Sequence, residues 1–407
     1  MAHAEPIDID SPRMRCAGRD ALSLALIDAR NHSLRWLAAC EKALPTPELR
    51  VPLLAEIDPP LWTFGHLAWF QERWIARNLQ RARGPACDPA QARLASVLPE
   101  ADSLYDPAVA AHDARWDLGL PDAQATRQYL VETLETTLEL LAAADESDAA
   151  LYFYRLALFH EDLHGEELAT LSQTLGFDAG LLPAPATTAA REPLFFPATV
   201  HELGMQPGGF VFDNEKWAHE VAIPEFEIDA QAVSWAQFAE FVEDGGYDDA
   251  RWWTPEGRAW VERVERRCPR HVEQLRHGVL AQRLGKLTRV PLAQTAIHLC
   301  WYEADAWCRW AGRRLPTEVE WEHAATAGAS RGLRWGQVLE WTASTLRPYP
   351  GFAADPWREA SKPWFGRAKV LRGASFATCG RLRDPRLRRF LAPDRDDAFS
   401  GFRSCAA

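Results

Sequence analysis

The chain has 407 residues, 47% of them hydrophobic and 25% charged, and a formal net charge of −12. At roughly 150 residues per domain that length predicts about two to three domains, and the balance excludes a predominantly disordered or collagen-like chain. An acidic chain repels phosphate backbones, so nucleic acid is not an expected partner. Eight cysteines, from Cys16 to Cys405, form no C-x-x-C pair and are too sparse for a disulfide framework. The opening MAHAEPIDIDSPRMR carries no apolar signal segment, and no stretch reaches the roughly 18 to 20 apolar residues that cross a bilayer. No membrane partner and a cytoplasmic location are the expectations.

In chain order, residues 18–44 carry apolar positions at three- and four-residue spacing. Residues 61–80 follow Pro59 and Pro60 and repeat that pattern. It recurs at 124–145 and at 151–176, the last ending at a glycine suited to a helix C-cap. Four long helices predict an N-terminal bundle over 1–180. Residues 181–198 are rich in proline and predict a linker. From 199 to 407 the pattern is short strands, glycines and irregular loops, with helices predicted at 234–244, 299–311 and 317–325. Thr317 and Glu320 have the spacing of a capping box.

His160 and His164 lie four residues apart in the fourth helix, about 40° and 6 Å from each other, so both imidazoles can reach one ion. His66 sits in the second helix among Trp62, Trp69, Phe70 and Trp74. Three neutral imidazoles from two helices form a facial cap that leaves coordination positions open; iron(II) suits it, and zinc, cobalt and copper also accept nitrogen ligands. The letters H-E-x-x-H at 160–164 match a zinc-peptidase motif in which Glu161 is the general base. On a helix, however, Glu161 points about 100° away from His160. The plainest alternative makes these histidines ordinary helix residues.

The pairing of GHLAWFQERW with LALFHEDLHGEEL resembles the DinB-like domain of ergothioneine-type sulfoxide synthases. GGFVFDNEKWAHEV, GRRLPTEVEWEHAA, VLEWTAS, VLRGASFAT and FSGFRSCA resemble their formylglycine-generating-enzyme-like, or C-type-lectin-like, domain. The resemblance implies an α+β architecture, a DinB-like four-helix bundle followed by that domain. It also implies an iron(II) cofactor on His66, His160 and His164, and hercynine and O₂ as substrates, with a chalcogen joined to imidazole C2. It places Tyr349 as a proton or hydrogen-atom donor, with Trp357 where related chains often have another tyrosine, and Phe390 as an aromatic face near a quaternary ammonium. Cys379 and Cys405 do not match the paired cysteines of formylglycine-generating enzymes, and Arg403 is expected to be structural.

Members that use γ-glutamylcysteine carry an aspartate and an arginine four residues apart. Here Arg395 occupies the arginine position and Leu391 the aspartate position, and an isobutyl group cannot pair an ammonium. The wider pattern resembles the selenoneine synthase branch, which implies a selenosugar donor. The alternatives are a thiol donor, γ-glutamylcysteine or cysteine, with Asp394, Asp396 or Asp397 recruited, and a noncatalytic lectin-like binding protein.

Overall fold

The computed structural model describes residues 8–275 and 277–407, so the first seven residues of the polar N-terminal segment lie outside the described residues. Four helices build the N-terminal bundle: α1 (Arg19–Ala43), α2 (Pro60–Trp74), α4 (Ala123–Ala142) and α5 (Asp148–Leu175), with a short α3 (Ala101–Tyr105) between α2 and α4. Residues 61–80 were expected to form one helix, yet α2 stops at Trp74. Arg77 is the reason. Its guanidinium pairs with both Asp102 oxygens at 2.8 and 2.6 Å and its Nε–H donates to the Leu94 carbonyl, positions that a continued helix would not reach.

The β-rich half contains β1 (Leu194–Phe196), β2 (Thr199–Leu203), β3 (His219–Ile223), β4 (Phe226–Ile228), β5 (Val272–Gln274), β6 (Val279–Arg283), β7 (Lys286–Val290), β8 (Arg313–Arg314), β9 (Leu339–Thr345), β10 (Lys369–Gly373), β11 (Arg389–Leu391), β12 (Ser400–Phe402) and β13 (Cys405–Ala406). They assemble as small sheets in the orders β1-β4-β13-β8 and β11-β10-β9-β12, with a β2-β3 pair and a β5-β6-β7 meander. Helices α6 (Trp235–Glu243), α8 (Trp301–Trp310) and α9 (Glu318–Ala327) fall at the predicted places. The predicted capping box closes at α9: Thr317 Oγ1 accepts from the Glu320 amide at 3.3 Å, and the Glu320 carboxylate accepts from the Thr317 amide at 2.7 Å. Helix α7 (Pro255–Val264) was not anticipated, although Thr254 at its N-cap and Pro255 in its first turn are sequence signals for it.

Residues 181–198 were expected to be linker throughout. The structure instead stitches them onto the β-rich domain from Thr187 onward: Thr187 bridges Gln294, and β1 pairs with β4. The apolar LFF of β1 buries Phe196 against Phe226, which a free linker could not do.

Helix α5 joins the halves. Its first half, LYFYRLALF, is buried on every side, as expected of a helix enclosed by protein. Its polar residues then grip the second domain. Asp162 takes two 2.8 Å hydrogen bonds from Arg381, and Glu166 accepts from Ser375, Thr378 and Arg389. Phe159 stacks on Phe210. The helix ends where predicted, at Gly176 with φ 75°. There the β6–β7 turn packs so closely that a Cβ on Gly285 would lie 2.0 Å from the Gly176 carbonyl oxygen. Arg403 is structural as expected, fully buried and paired through Nε and Nη2 with Glu340.

Candidate metal centre

Pro60 in the first turn of α2 presets the helical φ, which starts the helix and fixes the direction in which His66 projects. The residue before it must be small: a Cβ on Gly65 would lie 2.2 Å from the Tyr105 ring. This close approach brings the end of α3 against α2 and sets the Tyr105 carbonyl 2.9 Å from His66 Nδ1. A carbonyl only accepts, so Nδ1 carries the proton and Nε2 presents its lone pair. Trp62 stacks on the ring at 4.9 Å and 10°, holding its plane.

From α5, His160 and His164 bring their Nε2 atoms to 3.2 Å of each other. One ligand nitrogen from each of the three histidines lies within 4.8 Å of the other two. Ligands about 2.1 Å from a common ion stand about 3 to 4 Å apart, so the α5 pair already has that spacing and His66 is within a small rotation of it. Phe70 lies flat on His160 at 3.6 Å and 2°.

The electrostatics suit ligation. Burial first, then the neighbouring His164, lowers His66 to about 3; burial and the other two imidazoles hold His160 well below its ordinary value. Both are neutral at pH 7, the state that binds metal. For His164 burial works in the same direction, but the Glu167 carboxylate outweighs it and raises the ring above its ordinary value. Glu167 Oε2 lies 2.6 Å from His164 Nδ1, an ion-pair contact whose alignment falls short of a well-formed hydrogen bond. Such a carboxylate fixes ring orientation and raises ligand basicity. Glu167→Gln is therefore expected to weaken metal affinity by roughly 10- to 100-fold, read by competition with a chelator.

Glu161 does not serve this centre. It is buried and accepts from Arg30 Nε at 2.8 Å, Arg30 Nη2 at 3.0 Å and Ser33 at 2.6 Å. The zinc-peptidase reading fails here because its general base is committed to a buried ion pair.

Two cavities, of about 280 and 310 Å³, reach the histidines through their neighbours: Glu167, against His164, lines both, and Trp357, against His160, lines the larger. Glu167, Arg389, Leu391 and Arg395 line both and form the partition between them. The larger carries the aromatics Phe212, Trp357, Trp364 and Phe390. Trp357 also meets His160 edge-on at 5.3 Å, linking this cavity to the metal centre. The smaller is polar, with Glu56, Asp58 and Asp397 in its wall. Phe390, Leu391 and Arg395 line open space, Phe390 in the larger cavity and the other two in both. Arg395 is not free, since Asp397 takes its Nε and Nη2 at 2.5 and 2.6 Å.

Tyr349 is a correction. It lines neither cavity; its hydroxyl accepts from Arg372 at 3.0 Å and donates to Glu318 at 3.2 Å, with Arg388 over the ring. A phenol held in a buried ion network, its acidity suppressed first by desolvation, is not poised to give a proton to substrate. Of Tyr349 and Trp357, it is Trp357 that stands beside the histidines.

Sequence reasoning missed Glu167, although its H-x-x-E spacing from His164 was a readable signal, and the Tyr105 carbonyl, for which there was none. It also missed Asp213, in the wall of the aromatic cavity. Ser361 donates to Asp213 Oδ1 at 2.6 Å, while Oδ2 is buried without a partner. Burial pushes this carboxyl up to about 6. The folded state then holds the proton more tightly than the unfolded chain, so this group's stabilisation is present at low pH and lost as pH rises through about 6. Asp213→Asn should flatten that fall by at most about 3 kcal/mol, seen in urea unfolding on either side of that pH.

Residues 186–335 match the sulfatase-modifying factor enzyme 1-like domain. Over 444 aligned residues the chain is 30% identical to the hercynine oxygenase of Mycolicibacterium smegmatis, covering 95% of this chain and 98% of that one. The chain belongs to the hercynine oxygenase family. A second member, hercynine oxygenase from Mycobacterium tuberculosis, is 29% identical over 85% of this chain and 90% of its own. The formylglycine-generating enzyme of Streptomyces coelicolor is 30% identical over 39% of this chain and 57% of its own. The fold agrees with the expected one, a helical bundle followed by the β-rich domain. None of these three relatives is named for selenium chemistry, so kinship supports this family member at the level of the family and not of the selenoneine branch. All eight cysteines are free; burial raises Cys379 well above its ordinary value and pushes Cys405 up to about 12. Among the described residues no helix is long and apolar enough to cross a membrane.

Proposed function

We propose that this protein is an iron(II)- and O₂-dependent synthase that joins a chalcogen donor to the imidazole ring of hercynine. The observation that carries the reading is the convergence of His66, His160 and His164 beside a two-chambered cavity. When bound there, iron(II) supplies redox chemistry and open coordination positions for O₂ and donor.

The chain's own residues bind and orient. Phe212, Trp357, Trp364 and Phe390 offer ring faces to a trimethylammonium, which a ring quadrupole attracts. Asn214, whose side-chain oxygen is buried without a partner, contributes to the same wall. With the cation held there, the imidazole of hercynine points toward Trp357 and the histidines. The enclosing aromatics exclude water from the reacting ring.

The polar chamber takes the donor. The selenosugar reading rests on Leu391, which gives an ammonium nothing to pair with, and on Arg395, whose fork Asp397 already fills. The thiol reading, with γ-glutamylcysteine or cysteine, rests on kinship with the hercynine oxygenases and on the acidic wall of that chamber, where Glu56 and Asp58, paired with Arg270 and Arg115, stand beside Asp397. Product mass spectrometry under O₂, with hercynine and each donor in parallel, separates them. A selenium adduct in preference to either thiol supports the Leu391 reading, and the reverse preference supports the thiol reading. The absence of any hercynine adduct with iron bound overturns the proposed function.

A further inference from the structure

A third cavity, of about 190 Å³, lies on the far side of Phe399 from the polar chamber, and Phe399 lines both. Its walls come from the 182–185 segment, β5, β6 and the start of α6. Most of the wall is apolar, including Leu182, Ile297, Phe376 and Phe399. Its polar atoms are unusually bare. Trp235, 1% exposed, contributes to the wall, and its indole N–H is buried without a partner. His271 adds a buried Nε2 without a partner. Arg283 donates to Gln294 at 2.7 Å, and among the described residues no carboxylate pairs with it. The nearest wall carboxylate, Asp178, is engaged by Lys286.

We propose that this cavity is a second binding site, for a small carboxylate with an apolar body. A half-buried guanidinium without a counter-ion gains from an anionic oxygen, as does an indole N–H without an acceptor, and charge-assisted bonds of this kind are the strong ones. The aromatic and aliphatic wall suits the rest of such a molecule. Burial lowers Arg283 with no carboxylate to oppose it, in accord with a counter-charge supplied from outside. Arg395 and Arg389, the cations of the catalytic chambers, are paired with Asp397 and Glu166, so an incoming carboxylate has less to gain there. Along α5, Gln173 in the wall of the third cavity lies nine residues beyond His164, about 14 Å along the axis.

Benzoate is the probe, titrated calorimetrically into the iron-loaded protein. One equivalent is expected to bind, with benzamide weaker by about tenfold or more because it lacks the charge. Arg283→Gln is expected to weaken benzoate by about tenfold or more and to erase its advantage over benzamide. Trp235→Phe keeps the packing and should cost about two- to tenfold, which provides a reading even if the arginine variant folds poorly. Arg395→Gln should leave benzoate affinity unchanged. No binding, equal affinity for benzoate and benzamide, or a loss that follows Arg395→Gln instead of Arg283→Gln overturns the proposal.

Discussion

His160→Ala is expected to abolish stoichiometric ferrous binding and all turnover while leaving the fold in place. The imidazole is one of two whose Nε2 atoms stand 3.2 Å apart, and its loss leaves only one donor on α5. Phe70 lies flat against the ring, so the alanine also leaves a void; a large-to-small change of this kind costs about 2 to 4 kcal/mol. Circular dichroism should therefore report a helical, folded chain with a lowered melting temperature. His66→Ala and His164→Ala should lose the ion as well. Anaerobic iron titration decides the matter: full ferrous binding by all three variants removes the ligand assignment and the function proposed on it.

The second large effect is on stability. Arg30 and Glu161 are buried, and Arg30 also donates to Gln71 and to the Leu130 carbonyl. Glu161→Ala leaves that guanidinium without its counter-charge, and breaking a buried pair from one side costs about 3 to 5 kcal/mol. The midpoint of urea unfolding should fall accordingly. The milder Glu161→Gln should lose less and, once folded, should bind iron and turn over as the parent does. Replacing both partners, Arg30→Met with Glu161→Leu, should recover much of the loss, because no charge then remains uncompensated. A Glu161→Gln variant of undiminished stability but without activity would instead make this carboxylate part of the chemistry.

Much of the centre was legible from residue spacing. His160 and His164 share a helix face because four residues make little more than one turn, and that follows wherever the helix lies. The capping box at Thr317 and the glycine end of α5 were legible for the same reason, since each depends on neighbours within a few residues. His66 was picked out by its aromatic setting and by resemblance; its distance to the α5 pair came from packing. Glu167 was readable in principle, three residues beyond His164, whereas the Tyr105 carbonyl was not, because a main-chain acceptor has no letter of its own.

Tyr349 marks the limit. In PYPGF nothing local distinguishes a phenol facing substrate from one facing Arg372, and the choice was made by residues far along the chain that meet only when β10 is laid beside β9. By itself the sequence determined most of the helices, the helix face carrying the paired histidines and the acidic, cysteine-poor character of the chain, all consequences of local geometry and composition. The tertiary structure alone decided that Glu161 pairs with Arg30, and that Arg283 and Trp235 share a cavity with no carboxylate on the guanidinium and no acceptor for the indole N–H. Those outcomes depend on which distant side chains compete for each buried charge, and burial, which makes an unmatched charge costly, is a property of the folded chain.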